Sequence, residues 1–333
     1  MAVTLEDVAL KAGVSHTTVS LVLHGDKKIS SKTREKVMAA IEQMNYHPNY
    51  NARSLAKGKT NTIAVMASKF ASFFAMDITK GIEDEAFKTE YDLNQYSTRG
   101  DKEKELKLVK SILYGRRADG MIIISLQPEP ESLKEFKDAE MPLVIIERKI
   151  DGISSVRTDN VKGAYMAAEH LIKSGRKNIG IIHGHLDCYD CINAKERYDG
   201  FTKAMSDHGL ELDKKNAAGT WYKFEDGVVA CREMFDRGAR PDAVFCAAGD
   251  MLALGFMKEA SRLGIKIPDD MAVIGYDDIL AGSMVSPALT TIRQPIEKMG
   301  REALSIVLRT INNEIKEPVT TTFEPELIVR ESA

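Results

Sequence analysis

No stretch of the chain approaches the roughly 18 consecutive apolar residues that a membrane-spanning helix needs, so no membrane span is expected. The first residues, Met-Ala-Val-Thr-Leu-Glu-Asp, have neither a basic n-region nor an apolar h-region, which argues against a secretory leader. Cysteine is sparse: Cys188, Cys191, Cys231 and Cys246 are all in the second half. Few cysteines without a leader point to a reducing cytoplasm and away from a disulfide framework. The loops that hold phosphates and nucleophiles are missing too. There is no Gly-x-Gly-x-x-Gly between strand and helix, and Gly180-Ile-Ile-His-Gly184 lies across a strand instead. There is neither a Gly-x-x-x-x-Gly-Lys-Ser/Thr loop nor a Gly-x-Ser-x-Gly elbow. The chain therefore reads as a non-enzyme without a cofactor.

What is present is a split molecule. The length of 333 residues suggests two or three domains. The net charge of -3 hides an asymmetry: residues 1–60 carry a net +4 and the remainder -7. A small basic end on an acidic body fits a polyanion-binding module joined to something else, although +4 alone decides nothing. In the basic end, Thr4 with Asp7 three residues on reads as a helix start, and Leu5, Val8, Ala9 and Ala12 share its inner face. Gly13 breaks that helix, Ser15 can cap a second, and a third runs from Ser30 or Ser31 to about Asn45. Two short helices joined by a glycine turn make a helix-turn-helix. The second helix would expose His16, Thr17, Thr18, Ser20 and Leu21, short side chains suited to base edges in a major groove. On spacing alone, a three-helix bundle with a polar surface explains them equally well.

Val3-Thr4-Leu5-Glu6-Asp7-Val8-Ala9, Ala12-Gly13-Val14-Ser15, Thr18-Val19-Ser20, Lys32-Thr33-Arg34-Glu35-Lys36-Val37 and Asn45-Tyr46-His47-Pro48-Asn49 closely resemble the DNA-binding segment of the lactose/galactose repressor (LacI/GalR) family. The resemblance implies a dimer that reads a palindromic operator in double-stranded DNA. It turns His16, Thr17 and Thr18, with Ser20 and Leu21, toward the bases; Thr4, Leu5, Ser15 and Asn49 complete that set. Leu21 stands where many family members carry arginine, which removes one contact to phosphate or guanine.

Residues 48–60 form a polar linker with a short helical stretch, Asn51 to Lys57, stopped by Gly58. Leu55 between Arg53 and Lys57 suits a minor-groove wedge. Ala52-Arg-Ser-Leu-Ala56 resembles the family's hinge helix, implying Leu55 as the wedge and Ala52 as a close groove contact.

From residue 61 on, strand-like runs (Ile63–Ala67, Tyr91–Tyr96, Met121–Ser125, Leu143–Glu147, Ile179–His183, Ala243–Ala247, Ala272–Tyr276) alternate with helical patterns such as Glu129–Lys137, Val161–Lys173 and Leu252–Leu263. Alternation of this kind predicts parallel α/β sheets. Periodicity leaves one large sheet or two lobes open. Gly249-Asp250-Met251, Ile267-Pro268-Asp269-Asp270, Ile274-Gly275-Tyr276-Asp277-Asp278, Pro287-Ala288-Leu289-Thr290-Thr291-Ile292 and Arg197-Tyr198-Asp199-Gly200-Phe201 resemble the family's two-lobed, periplasmic-binding-protein-like effector domain. The expected organisation is an all-α helix-turn-helix at 1–47, a hinge at 48–60 and an α/β effector and dimerisation domain at 61–333. Lobe 1 would cover about 61–159 and 293–322, and lobe 2 about 160–290 and 323–333.

In open α/β sheets ligands sit beyond the carboxyl ends of strands. An arginine and a carboxylate that hold hydroxyls, with an aromatic ring over the apolar face, suit a sugar. By the resemblance Phe73, Phe74, Asn160, Arg197, Trp221 and Asp277 line the cleft. Read without it, the phenylalanines are core, Asp277 caps the next helix and Arg197 is a surface ion pair. His183, His185, Cys188 and Cys191 fall within nine residues and offer four zinc-ligand types or a redox pair; two ordinary loop cysteines are the plainer reading. The chain ends without a leucine heptad, so the expectation is a cytoplasmic homodimer whose small effector, a sugar, shifts operator affinity. A purine effector, or a phosphorylated carrier protein as in catabolite-type regulators, is the alternative signal.

Overall fold

The computed structural model describes residues 3–23, 25–47, 59–187 and 191–333. It divides into two compact units, Met1–Thr60 and Asn61–Ala333. The expected hinge contacts Asn49, Ala52 and Leu55 lie outside the described residues, as does Cys188.

In the first unit, α1 (Leu5–Ala12), α2 (His16–Leu23) and α3 (Ser31–Gln43) surround a small core of Val8, Val19 and Val37, all fully buried, with Ala9, Val22, Ala40 and Tyr46. Each helix is started by a local cap. The Thr4 backbone N–H donates to Asp7 Oδ2 at 2.8 Å, and the Asp7 N–H donates to Thr4 Oγ1 at 3.3 Å. This reciprocal box satisfies two of the donors that a helix start leaves orphaned. Gly13 ends α1 at φ 66°, in the left-handed region that glycine enters without penalty. Ser15 Oγ accepts from the Thr18 N–H at 3.2 Å, and Ser30 Oγ from Thr33 at 3.3 Å.

The second unit contains two six-stranded sheets, so the two-lobed alternative holds and the single large sheet does not. Lobe 1 is built on β1 (Thr62–Ala67), β2 (Asp92–Ser97), β3 (Gly120–Ile124), β4 (Leu143–Ile146), β5 (Ser154–Thr158) and β11 (Thr320–Phe323), all parallel, in the order β11-β5-β4-β3-β1-β2. Lobe 2 is built on β6 (Ile179–Gly184), β7 (Ala217–Thr220), β8 (Ala243–Cys246), β9 (Ala272–Asp277), β10 (Thr290–Arg293) and β12 (Glu326–Ile328), in the order β12-β10-β9-β8-β6-β7, with β12 antiparallel. The central strands are apolar on both faces because helices cover both sides; all six residues of β1 are buried. In lobe 1, α4 (Phe73–Ala86) and α12 (Ile296–Ile311) touch backbone to backbone. A Cβ on Gly81 would strike the Glu297 carbonyl, and one on Gly300 the Ile78 carbonyl.

The remaining helices are α5 (Lys102–Tyr114), α6 (Pro130–Asp138), α7 (Asn160–Lys173), α8 (Ile192–Asp207), α9 (Phe224–Asp236), α10 (Asp250–Arg262) and α11 (Leu280–Met284). The chain passes between the lobes three times: from β5 into α7, from β10 into α12, and from β11 into β12. The carboxyl ends of both sheets carry the loops considered next.

Candidate functional site

On α2, Val19 and Val22 turn inward, leaving His16, Thr17, Ser20 and Leu21 on one outer stripe at i, i+1, i+4 and i+5. His16 and Thr17 are exposed; Ser20 and Leu21 are half-buried. Thr18 faces the cap, its hydroxyl 2.9 Å from Ser15 Oγ. Thr4 is exposed but committed to the box with Asp7, and Leu5 packs against the core. The stripe offers two exposed polar side chains at the amino end of a helix, with nearby lysines Lys11, Lys27, Lys28, Lys32 and Lys36 exposed around the unit. The Arg34 guanidinium is turned inward, donating to the Asp26 carbonyl at 2.7 Å.

Between the lobes of the second unit lies a cavity of about 560 Å³. Segments that follow strands build it: Ser72, Phe73 and Phe74 after β1, Ser125 after β3, Glu147 and Arg148 after β4, Tyr222 and Phe224 after β7, Ala248 and Gly249 after β8, and Asp277 ending β9. Asn193 and Arg197 reach it from α8. Two other cavities, of about 570 and 700 Å³, lie at the amino ends of β4 and β5 and beside the carboxyl-terminal half of α10. Of these three cavities, among the described residues, only the interlobe one brings buried charges of both signs together, which makes it the candidate site.

Arg197 is 5% exposed, so it is no surface ion pair. Its Nε donates to Asn160 Oδ1 at 2.8 Å, its Nη1 to the Ala247 carbonyl at 2.9 Å, and its guanidinium lies 3.7 Å from the Tyr276 ring centroid. Asn160 therefore stands behind Arg197 rather than in the cavity lining. Its Oδ1 also accepts from the Tyr276 hydroxyl at 3.2 Å, and its Nδ2 donates to Glu196. Asp277 accepts from Gln294 Nε2 at 2.7 Å. Burial pushes its carboxyl up to about 6, against the pull of Arg197. It caps no helix, because Ile279 occupies the cap position of α11. Phe73 is 43% exposed and offers a free ring face, whereas Phe74 also packs on the lobe 1 core.

Trp221 is a correction. It is 59% exposed and absent from the cavity lining, its ring edge-on to His185 with centroids 4.4 Å apart; the next residue, Tyr222, lines the wall. The sequence expectation is thus off by one position, the lining residue being the one after Trp221. The His/Cys cluster also resolves differently from its sequence spacing. His183 Nδ1 lies 2.7 Å from the Gly184 carbonyl, and its ring packs edge-on against Tyr198. Among the described residues no group of three His, Cys, Asp or Glu side chains is arranged to hold a metal. Cys191 is disulfide-bonded, while Cys231 and Cys246 are buried free thiols. A low cysteine count argues against a framework of bridges but leaves room for one.

Four lining groups escaped the sequence reading. Ser125 and Glu147 sit in left-handed backbone, at φ 48° and 74°, and the Ser125 hydroxyl donates to the Glu147 carboxylate. Asn193 Nδ2 in lobe 2 donates to Glu147 Oε1 in lobe 1 at 3.0 Å, while Asn193 Oδ1 is buried at the cavity wall with no hydrogen-bond partner. Arg148 completes the set. With Asp277 at φ 114° and Asp278 at 61°, four non-glycine residues at strand ends occupy backbone that costs about 1–3 kcal/mol each. The signal was available: Ser125 and Glu147 were the last residues of expected strands, where ligand contacts concentrate.

A model of "Bacterial regulatory proteins, lacI family" matches residues 4–49, and one of the periplasmic binding protein-like domain matches residues 168–333. The HTH-type transcriptional repressor PurR of Pasteurella multocida is 33% identical, over 99% of this chain and 98% of its own. The chain belongs to the lacI family. Two solved transcription regulators superpose on it. The lac repressor dimer bound to operator and the anti-inducer ONPF has a TM-score of 0.90 at 26% identity, over 100% of this chain and 99% of the repressor. The CelR–cellobiose complex has a TM-score of 0.76 at 31% identity, over 99% and 100%. As a lacI-family protein the chain is a transcription regulator with a DNA-binding helix-turn-helix and an effector-binding domain. No described helix is long and apolar enough to cross a membrane.

Proposed function

We propose that this chain acts in the cytoplasm as a homodimeric repressor, that His16, Thr17, Ser20 and Leu21 read each half of a palindromic operator, and that a sugar in the interlobe cavity sets operator affinity. The protein does this without catalysis. The observation that carries the effector reading is the chemistry of the cavity wall. Arg197, Asp277 and Glu147 are fixed by hydrogen bonds, the Asn193 amide oxygen has no partner, and the Phe73 ring is free. Rigid donors and acceptors beside an aromatic face match a ring that carries hydroxyls on its edge and C–H groups on its face. A buried acceptor left without a partner is costly, and a ligand hydroxyl relieves that cost. The operator-bound lac repressor dimer supports the assembly, and the cellobiose bound by CelR supports the ligand class.

Because Asn193 of lobe 2 already bonds Glu147 of lobe 1, a ligand seated between them changes how the lobes meet. Closure is then coupled to operator binding, with a factor of roughly 5 to 150 in affinity for an ordinary allosteric protein. The test is fluorescence anisotropy of the full-length chain on an operator recovered by selection from random DNA, titrated with mono- and disaccharides, sugar phosphates and purines. One sugar shifting the operator Kd supports the proposal. A shift with purines alone, or no shift with any compound, overturns the sugar assignment; in the second case the signal passes to a protein co-regulator.

A further inference from the structure

The acidic pair at the end of β9 faces two ways. Asp277 turns into the cleft and accepts from Gln294 Nε2. Asp278 turns away and accepts from Arg293 Nε and from Arg330 Nη2, each at 2.6 Å. Arg293 and Gln294 are consecutive residues of the second interlobe passage, so adjacent acids grip adjacent residues of the chain that joins the lobes. Arg293 Nη1 also donates to Glu326 at 3.2 Å, just past the third passage, and Arg330 Nη1 to the Leu289 carbonyl at 2.8 Å.

The grip has something to hold. Asp277 and Asp278 lie at φ 114° and 61°, where L-residues rarely settle unless the surroundings impose it. Their turn has no side-chain tether from within itself; its bonds come from Arg293, Gln294 and Arg330, and from Asp250, whose Oδ2 accepts the Ile279 N–H at 2.9 Å. Exposure separates this cluster from an ordinary surface pair. The Asp278 side chain is 9% exposed and Arg330 19%, although Arg293 is 45% exposed.

We propose that Asp278 is a positioning residue of the effector cleft: by holding Arg293 and Arg330 it fixes the strained turn that aims Asp277, and it anchors that turn to the interlobe passage. The proposal rests on the reading of the cleft as the effector site, but it concerns geometry that exists without ligand and is tested without ligand. The charged groups around Asp277 are Arg197 from α8, Glu147 from the end of β4, Asp77 from α4, Asp250 from α10 and, beside it in the turn, Asp278 with its partners Arg293 and Arg330.

The experiment is a carboxyl ¹³C NMR titration of the full-length chain labelled at aspartate Cγ. The Asp277 resonance is identified by its loss in Asp277→Asn. Arg293→Gln is the decisive variant, because the two explanations give it opposite signs. Loss of a nearby cation, acting only through space, raises the Asp277 midpoint. Release of the turn, which admits water to Asp277, lowers it toward the ordinary carboxylate range. We expect a fall in Arg293→Gln, a larger fall in Asp278→Ala and a smaller one in Asp278→Asn, which keeps an acceptor. A midpoint that is unchanged or raised in Arg293→Gln overturns the proposal. A merely structural ion pair would lower the thermal midpoint of the variants and leave the Asp277 titration in place. Arg293 is exposed enough for its variant to fold even if Asp278→Ala does not. If the titration moves as expected but no compound changes operator binding, the positioning role stands and the effector reading falls.

Discussion

The outer stripe of the helix-turn-helix is set by bonds between residues three apart: Thr4 with Asp7, Ser15 with Thr18, Ser30 with Thr33. The groups of the cleft are set from far along the chain. Asp277 is held from 17 residues away, Glu147 from 22 and 46, and Arg197 from 37 and 50. Local bonds form as the helix forms and depend on little else. Distant bonds exist only when both sheets have assembled, so each cleft group is also a strut of the fold. Changes to the exposed stripe should therefore cost function without structure, whereas changes to cleft groups should alter function and stability together, in either direction.

The largest separation is expected at Asn160. Replacing it with leucine leaves Arg197 Nε and the Tyr276 hydroxyl buried without their acceptor. At about 1–3 kcal/mol for each stranded group, urea unfolding of the second unit should weaken by roughly 3 kcal/mol. The first unit, followed separately through the backbone amide NMR signals of its helices, should be unmoved. Equal loss in both units would break the distinction.

Asp277 sharpens it through pH. Its carboxyl is raised in the folded state to about 6, by burial first. A carboxyl raised on folding adds stability below its unfolded value near 3.9, and that stability is lost as pH rises through the folded value. Stability should thus decline between about pH 4 and 6, and Asp277→Asn should remove the decline. At pH 7 the variant should be more stable by up to about 3 kcal/mol while failing to respond to effector. Paired thermal melts at pH 4 and pH 7 decide this. A variant no more stable at neutral pH would mean that the cleft does not burden Asp277.

On the helix-turn-helix the expected stability effects are smaller and local. Thr17→Ala should cost about 1–3 kcal/mol of operator affinity in an anisotropy assay, with thermal stability held within about 0.5 kcal/mol. Thr4→Ala should do the reverse, removing the box at the start of α1 for about 1 kcal/mol of unfolding free energy. If Thr17→Ala unfolds the unit instead, His16 and Thr17 are structural and not a reading surface.

The same difference in range explains what could be read from residues alone. Thr4 with Asp7, Gly13, and Ser15 before Val19 and Val22 are patterns within one or two helical turns, and each appears in the structure as expected. The apolar central strands were equally legible because burial on both faces leaves long runs such as Ile63–Ala67. Of the strands that went unread, β5, β7, β10 and β11 are short and rich in Ser, Thr and Gly, and β12 has only three residues. They gain their identity from neighbours in the sheet rather than from their own pattern. In the cleft, Arg197 and Asp277 came from resemblance, and the structure brings both to the cavity wall. Asn160 and Trp221 were assigned to the lining by the same route, but one lies behind the wall and the other beside it. Glu147, Asn193 and Gln294 could not be paired from the sequence, since no local rule connects a strand end in one lobe to a helix in the other.

The central claim is that the interlobe cavity governs DNA binding. Its most direct test compares the wild-type chain with Asp277→Asn in the operator anisotropy assay, titrated with the sugar and purine panel at pH 7. The account predicts that at least one sugar changes the wild-type operator Kd by about fivefold or more. It also predicts that Asp277→Asn binds the operator normally but does not respond. A response of equal size in the variant, or no response to any sugar in the wild type, would contradict it.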